Sequence, residues 1–338
     1  MIRIGARFKR VEPRRLAGDL LRGMVSDLAV KNCWTIAEHA GHASPDRLQH
    51  LLRAAAWDED GIVADLREYV VEHLGEKDGL LIVDETGDLK KGTHTVGVQR
   101  QYTGTAGRIE NAQVAVYLTY ATAMGHTLMD RALYLPKSWT ENPRRCADAG
   151  VPEGTKFATK PALAGELITR ALDAGVAARW VAGDEVYGTD GKFSRALEAR
   201  GVGYVLAVAC DHRVGTTARK RVSSGKTRVV LDKKRADELV AGLPKRAWQQ
   251  LSAGAGSKGE RVYDWAWVTI ASEPAKPAKT QPIDTSPGCW WLLVRRNRTT
   301  GELAFYRCYS PRRVPLAALV RVAGRRWRIE ESFQSSKN

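Results

Sequence analysis

Three acidic positions stand out as groups that could do chemistry. Asp84 follows Leu80, Leu81, Ile82 and Val83, so a carboxylate sits within or at the end of a strand that should otherwise be buried. A buried carboxylate needs a cation or hydrogen bonds. Asp184 repeats the pattern: Trp180, Val181 and Ala182 lead into GDEVYG, whose glycines let the backbone turn as the acid emerges. Glu330 lies in RRWRIEESFQSSK. Helical periodicity there puts Arg326 and Lys337 within about 40° of Glu330, with Ile329 and Phe333 on a neighbouring apolar stripe. Singly, each acid has an ordinary structural role, because strand-end acids cap helices or turns and i,i+4 ion pairs decorate surface helices. Together, carboxylates from two strands and a helix could converge on divalent cations. Oxygen donors suit Mg²⁺. Two such ions about 4 Å apart activate a water or 3′-hydroxyl and stabilise the leaving oxygen in phosphodiester chemistry. Glu85, Glu185 and Glu331 adjoin the three acids, so spacing alone leaves the choice within each pair open. His94 and His126 are read as histidines satisfied by backbone partners rather than as ligands.

The elements that must position these acids follow from patterning. Residues 1–75 read as helices: LAGDLLRGMVSDLAV has apolar residues at three and four spacing, and SPDRLQHLLRAAAW opens with Ser44 as N-cap and Pro45 at the first helical position. WTIAEHAGHA between them makes a helix-turn-helix DNA reader one option and ordinary helix packing the other. From residue 80 the pattern turns to β, with LLIVDE, QVAVYLTYAT and GHTLMDRALYLP as an antiparallel meander. A helix at PALAGELITRALDAG, a short strand at RWVAGDEVYG, a helix at KFSRALEARG and a strand at YVLAVAC follow. Meander first and alternation second gives an α/β mixed sheet flanked by helices. Residues 211–310 read as a β-rich insertion with strands TRVVLD, RVYDWAWVTIA, CWWLLVRR and ELAFYRCYS. EPAKPAKTQPIDTSPG within it has too few large apolar residues to pack and reads as an exposed loop. VPLAALVRVAGRRWRIEESFQSSK returns to a helical period. Trp265, Trp267, Trp290 and Trp291 are expected in the core, with base stacking by one or two tryptophans as the alternative.

The chain has 338 residues, 43% hydrophobic, enough to bury a sizeable core. No stretch approaches eighteen consecutive apolar residues, and MIRIGARFKR lacks the apolar run of a signal peptide, so a cytoplasmic location without membrane contact is expected. Five scattered cysteines without a CxxC pair argue against a disulfide framework or zinc ribbon, and read as reduced, mostly buried small hydrophobes. The net charge of +15 is concentrated: residues 211–250 hold 11 basic and 4 acidic side chains, and residues 291–338 hold 11 and 3. Such asymmetry points to a polyanionic partner, against the plainer reading of a solvated surface.

VDETG around Asp84, GDEVYG around Asp184 and RWRIEESFQSSK around Glu330 resemble the Asp-Asp-Glu triad of DDE-type transposases of bacterial insertion sequences, which have an RNase H-like core. KKGTHTVGVQRQYTGTAGRIENAQVAVYLTYA, LYLPKSW, FATKP and YDWAWV are similar to the same group, so the resemblance runs from about residue 7 to the end. It implies that Asp84, Asp184 and Glu330 are catalytic and bind two Mg²⁺ or Mn²⁺ ions, the first acid of each pair being the functional one. It also implies that Arg326, Arg328 and Lys337 contact DNA phosphates. The family's helix signature sets a Tyr three residues before the Arg; here that position is Ala323. The implied domains are a helical N-terminal domain (1–75), an RNase H-like core (76–210 and 311–338) and the β-rich insertion (211–310). The implied reaction is hydrolysis at transposon ends followed by strand transfer into target DNA, with a homodimer holding terminal inverted repeats of double-stranded DNA. Relatives continue past the signature Lys, so a copy cut short at Asn338 is expected. Two other functions fit the same residues: an RNase H-like nuclease without joining activity, and a non-catalytic DNA-binding remnant.

Overall fold

The computed structural model describes residues 2–221, 227–256, 259–272 and 288–337; the side chains of 217–221, 227–231 and 337 are outside the description. The EPAKPAKTQPIDTSPG segment therefore lies almost wholly outside the described residues. The chain forms two compact units, 1–72 and 73–338.

The first unit is helical. Helix α1 (Val11–Met24) starts earlier than its apolar spacing suggested and stops where the Ser26 hydroxyl and amide both turn back to the Gly23 carbonyl. Asn32 caps α2 (Cys33–His39) through the Trp34 and Thr35 amides. The chain then turns at Gly41, whose φ of 76° favours a residue without a side chain, into α3 (Asp46–Arg53). Ser44 does not cap α3. Its hydroxyl bonds the Asp46 carboxylate at 2.9 Å, and Pro45 takes the capping position with φ −75°. Leu16 and Leu20 of α1 join the cluster of Ile36, Ala37 and Leu48. Helix α4 (Glu59–Leu74) supplies the buried Asp65, held by two bonds from Arg7 at 2.9 and 2.6 Å.

The second unit is built on one large mixed sheet. Strands β1 (Leu80–Leu89), β3 (Arg108–Ala121) and β4 (His126–Leu133) form the expected meander, with β1 antiparallel to β3 along its whole length and β4 on the far edge of β3, and an additional strand, β2 (Gln99–Thr103), pairs with the start of β3. Helices α5 (Lys137–Thr140), α6 (Pro143–Asp148) and α7 (Lys160–Asp173) return the chain to β5 (Trp180–Gly183), parallel to β1. After α8 (Glu185–Gly188) and α9 (Gly191–Ala199), β6 (Gly203–Val208) lies parallel to β5. The order β4-β3-β1-β5-β6, three antiparallel strands and then two parallel ones, is the RNase H-like α/β arrangement.

Residues 211–310 divide between two sheets. Strands β7 (Arg213–Arg221) and β8 (Thr227–Arg235) make a separate pair, followed by α10 (Ala236–Ala241). Strands β9 (Gln249–Gly256), β10 (Gly259–Ile270), β11 (Cys289–Arg296) and β12 (Leu303–Ser310) continue the main sheet, β12 pairing antiparallel with β6. Trp265, Trp290 and Trp291 are buried there, and Trp267 stacks on Trp291 at 5.3 Å. Of the cysteines only Cys308 is buried; Cys210 is exposed.

The terminal segment is two helices, α11 (Leu316–Arg325) and α12 (Arg328–Lys337). Leu316, Leu319, Val320 and Ile329 pack on Leu80, Ile82, Trp180 and Ala182, while α7 packs against β1, β3 and β4. No helix among the described residues is long and apolar enough to cross a membrane.

Candidate active site

The sheet register sets the first two acids side by side. Leu80, Leu81 and Ile82 pair in parallel with Trp180, Val181 and Ala182. The same register carried two residues further places Asp84, in the middle of β1, beside Asp184, the first residue past the end of β5. Side chains alternate along a strand, so both acids lie on the face that packs α11 and α12, with Leu80, Ile82, Trp180 and Ala182. Asp84 Oδ1 accepts from the Glu85 amide at 2.8 Å, and Asp184 Oδ1 caps α8 through the Val186 amide at 2.9 Å.

Each glycine of GDEVYG has a steric reason. A Cβ at Gly183 would press on Val83, Tyr187 and Leu206 at 3.1–3.3 Å, and one at Gly188 would collide with the Ala207 carbonyl of β6. Backbone cannot yield as a side chain can, so Gly188→Ala is expected to cost about 3 kcal/mol or more. Thermal unfolding of that variant checks the value, and a melting temperature equal to wild type would contradict it.

Glu330 approaches the two aspartates from α12, which is fastened by Ile329, fully buried, and by Phe333, edge-on to Tyr117 at 5.4 Å. Burying Ile329 contributes about 1.5–3 kcal/mol. Arg326 sits at the break between α11 and α12. Its Nη1 is 3.5 Å from Asp84 Oδ2, and its Nη2 donates to Glu330 Oε1 at 3.2 Å. One guanidinium therefore links the first acid to the third.

The neighbouring acids are engaged elsewhere. Glu85 points to the other face, where Lys160 Nζ donates to Oε1 and Tyr187 Oη to Oε2, both at 2.7 Å. Burial, then Glu85, pushes the Tyr187 phenol well up, so it stays a donor. Glu185 is exposed. Glu331 accepts from Arg328 at 2.6 Å and lies 3.6 Å from His126 Nε2. His126 has this carboxylate neighbour rather than the backbone partner expected, and burial lowers its pKa. His94 is exposed, and Ala323 is half-buried against the core. The Lys337 side chain lies outside the described residues.

Burial disfavours the charged form of all three acids. Burial, and next Asp184, raise Asp84 to about 7, with Arg326 only partly offsetting them. Burial and Glu85 raise Asp184, and burial raises Glu330 against the pull of Arg326. Among the described residues no three His, Cys, Asp or Glu side chains are drawn close enough to hold a metal ion as they stand. The donor chemistry nevertheless fits a hard divalent cation: three carboxylates whose charge a single arginine leaves uncompensated.

Residues 4–269 match the family described as DDE superfamily endonuclease. The chain belongs to that family. The match covers Asp84 and Asp184 and stops before Arg326 and Glu330, which the fold brings to the same place. This DDE superfamily member is also 31% identical over 202 residues to the "Probable transposase for insertion sequence element IS701" of Microchaete diplosiphon, an alignment covering 59% of this chain and 50% of the relative. The match thus spans half the length of that curated relative. In this DDE superfamily chain, what the sequence could not reveal was the use of Arg326 as a bridge and of Lys160 and Tyr187 as partners of Glu85. Those partners lie 75 and 102 residues from Glu85. Their presence in FATKP and GDEVYG was the available signal.

Proposed function

We propose that the chain is a DDE transposase that cuts DNA at transposon ends and joins the freed 3′-hydroxyl to target DNA. The observation that carries this is that the parallel pairing of β1 with β5 leads directly into Asp84 and Asp184, with Arg326 linking Asp84 to Glu330. In this reading Asp84, Asp184 and Glu330 hold two Mg²⁺ or Mn²⁺ ions. Such ions supply activation of the attacking oxygen and stabilisation of the leaving oxygen. Arg326 exchanges its carboxylate partners for a phosphate oxygen near the scissile bond, and Arg328 and Lys337 bind the flanking backbone. Glu85, neutralised by Lys160 and hydrogen-bonded by Tyr187, stays out of the metal site and fixes α7 and α8 against β1. Water attack breaks the phosphorus–oxygen bond to leave a 3′-hydroxyl and a 5′-phosphate. That hydroxyl then displaces a 3′-oxygen of the target strand, so one phosphodiester forms as another breaks. Helix α3, which exposes Arg47, Gln49, His50 and Arg53, reads the terminal repeat, and two copies hold the paired ends.

The test is incubation with Mg²⁺ and DNA carrying the element's own terminal inverted repeat. Wild type is expected to nick at the repeat boundary and to yield joined products, and Asp184→Ala to yield neither. Cleavage by Asp184→Ala at the wild-type rate, or none by wild type with either ion, would refute the proposal.

A further inference from the structure

Where β9 meets α11 lies a cavity of about 410 Å³ lined by Ser252, Ala253, Gly254 and Ala255 of β9, Arg261 of β10, Arg321 and Arg325 of α11, and Arg328 of α12. Its walls are fixed. Gly324 lets α11 approach β9 so closely that a Cβ there would collide with the Ala253 carbonyl. Arg261 spans the junction, donating to the carbonyls of Ala253 at 3.1 Å, Gly324 at 2.9 Å and Gly254 at 3.3 Å. Arg261 is thus scaffold, and it engages carbonyl oxygens that would otherwise repel an anion.

The other arginines are differently placed. Arg328 is tied to Glu331. Arg321 and Arg325 form no hydrogen bond or ion pair among the described residues, and no acid lines the cavity. Glu76 and Asp78 act on Arg325 from outside the lining, and each has its own partner, the Ala123 amide and Arg179, both at 3.1 Å. Burial and Arg321 hold Arg325 below its ordinary pKa. Like charges held together in a preformed cavity are relieved by an anion.

The position of the cavity selects the anion. Arg325 and Arg326 are consecutive, and Arg326 reaches Asp84 and Glu330. The break between α11 and α12 sends neighbouring guanidinium groups to the cavity and to the acid cluster. We infer that the β9–α11 cavity is a second phosphate-binding site, in which Arg321 and Arg325 hold the backbone of the same DNA strand that passes the acid cluster. This rests on the transposase reading, which supplies the strand.

The experiment is binding of a fluorescent repeat-end duplex without divalent metal, across a salt titration. Wild type is compared with Arg321→Gln/Arg325→Gln and with Lys91→Gln/Arg144→Gln, which removes two exposed charges outside the cavity. Each phosphate contact contributes about 0.9 to the slope of log affinity against log salt. The cavity variant is expected to bind at least about tenfold more weakly, with a slope shallower by roughly 2, and the control to keep the wild-type slope. Arg321→Gln alone, at an exposed position that cannot unfold the core, should lower the slope by roughly 1. An unchanged slope in both cavity variants, or an equal fall in the control, would overturn the inference. So would inorganic phosphate that fills the cavity without weakening DNA binding, which would mark a small-anion site. Failure of the transposase reading appears separately, as wild type that binds DNA but does not cut it with Mg²⁺.

Discussion

Asp84→Asn is expected to raise the melting temperature of the metal-free protein at pH 8 while abolishing cleavage. In the folded chain Asp84 titrates near 7, because burial and then Asp184 disfavour its charge; unfolded, it titrates near the ordinary carboxylate value of about 4. Between those values the folded state keeps a proton that the unfolded state has lost. The stabilisation this confers is complete below about pH 4 and is lost as pH rises through about 7. At 1.36 kcal/mol per unit, the ionised group costs the fold up to about 4 kcal/mol at pH 8. Asparagine keeps the shape and removes the charge, so the gain should appear at pH 8 and vanish at pH 4. Differential scanning calorimetry at the two pH values measures it. A variant less stable than wild type at pH 8 would show that the carboxylate is compensated. Metal should reverse the order, since cations need the deprotonated acid: Mn²⁺ should stabilise wild type more at pH 8 than at pH 6, and Asp84→Asn little at either.

Arg326→Ala should damage both stability and the pH profile. The guanidinium lowers the pKa of Asp84, Asp184 and Glu330. Without it three half-buried carboxylates repel one another, at a cost of about 1–3 kcal/mol, less than for a fully buried pair because Arg326 and Glu330 remain partly exposed. The acid limb of the cleavage profile should move to higher pH, with a loss at pH 7 of roughly fivefold for the first unit by which the pKa of Asp84 rises. Arg326→Lys should restore most of the position of that limb but not the linkage of two acids by one planar group. An acid limb that stays in place in Arg326→Ala would mean that this arginine does not govern the cluster.

The apolar runs before Asp84 and Asp184 made β1 and β5 legible, because a strand buried on both faces is written as continuous hydrophobes. QRQYT gave no such signal: β2 pairs on one side only and alternates partly buried with exposed residues. The basic stretch that forms β7 was equally silent. Helical periodicity placed Arg326 beside Glu330, and they meet at 3.2 Å. It could not show the break after Arg325, since Arg326 keeps helical angles of −51° and −35° while the Ile329 and Glu330 amides shift to carbonyls three residues back. Nor could it show that Arg326 reaches Asp84, which only the docking of α11 and α12 on β1 and β5 decides. The continuation of the main sheet by β9–β12 depends on β12 pairing with β6, nearly a hundred residues away in the chain. Spacing could not separate Glu330 from Glu331; the fold turns the first toward Arg326 and Asp84 and the second toward Arg328 and His126.

That separation supplies the most direct measurement: Mg²⁺-dependent cleavage of terminal-repeat DNA by Glu330→Gln and Glu331→Gln at pH 8. If Asp84, Asp184 and Glu330 share the catalytic ions, Glu330→Gln loses at least about a thousandfold in rate, and Glu331→Gln, which loses only its contacts with Arg328 and His126, stays within about tenfold of wild type. The reverse ranking, or equal rates for the two variants, would contradict the account.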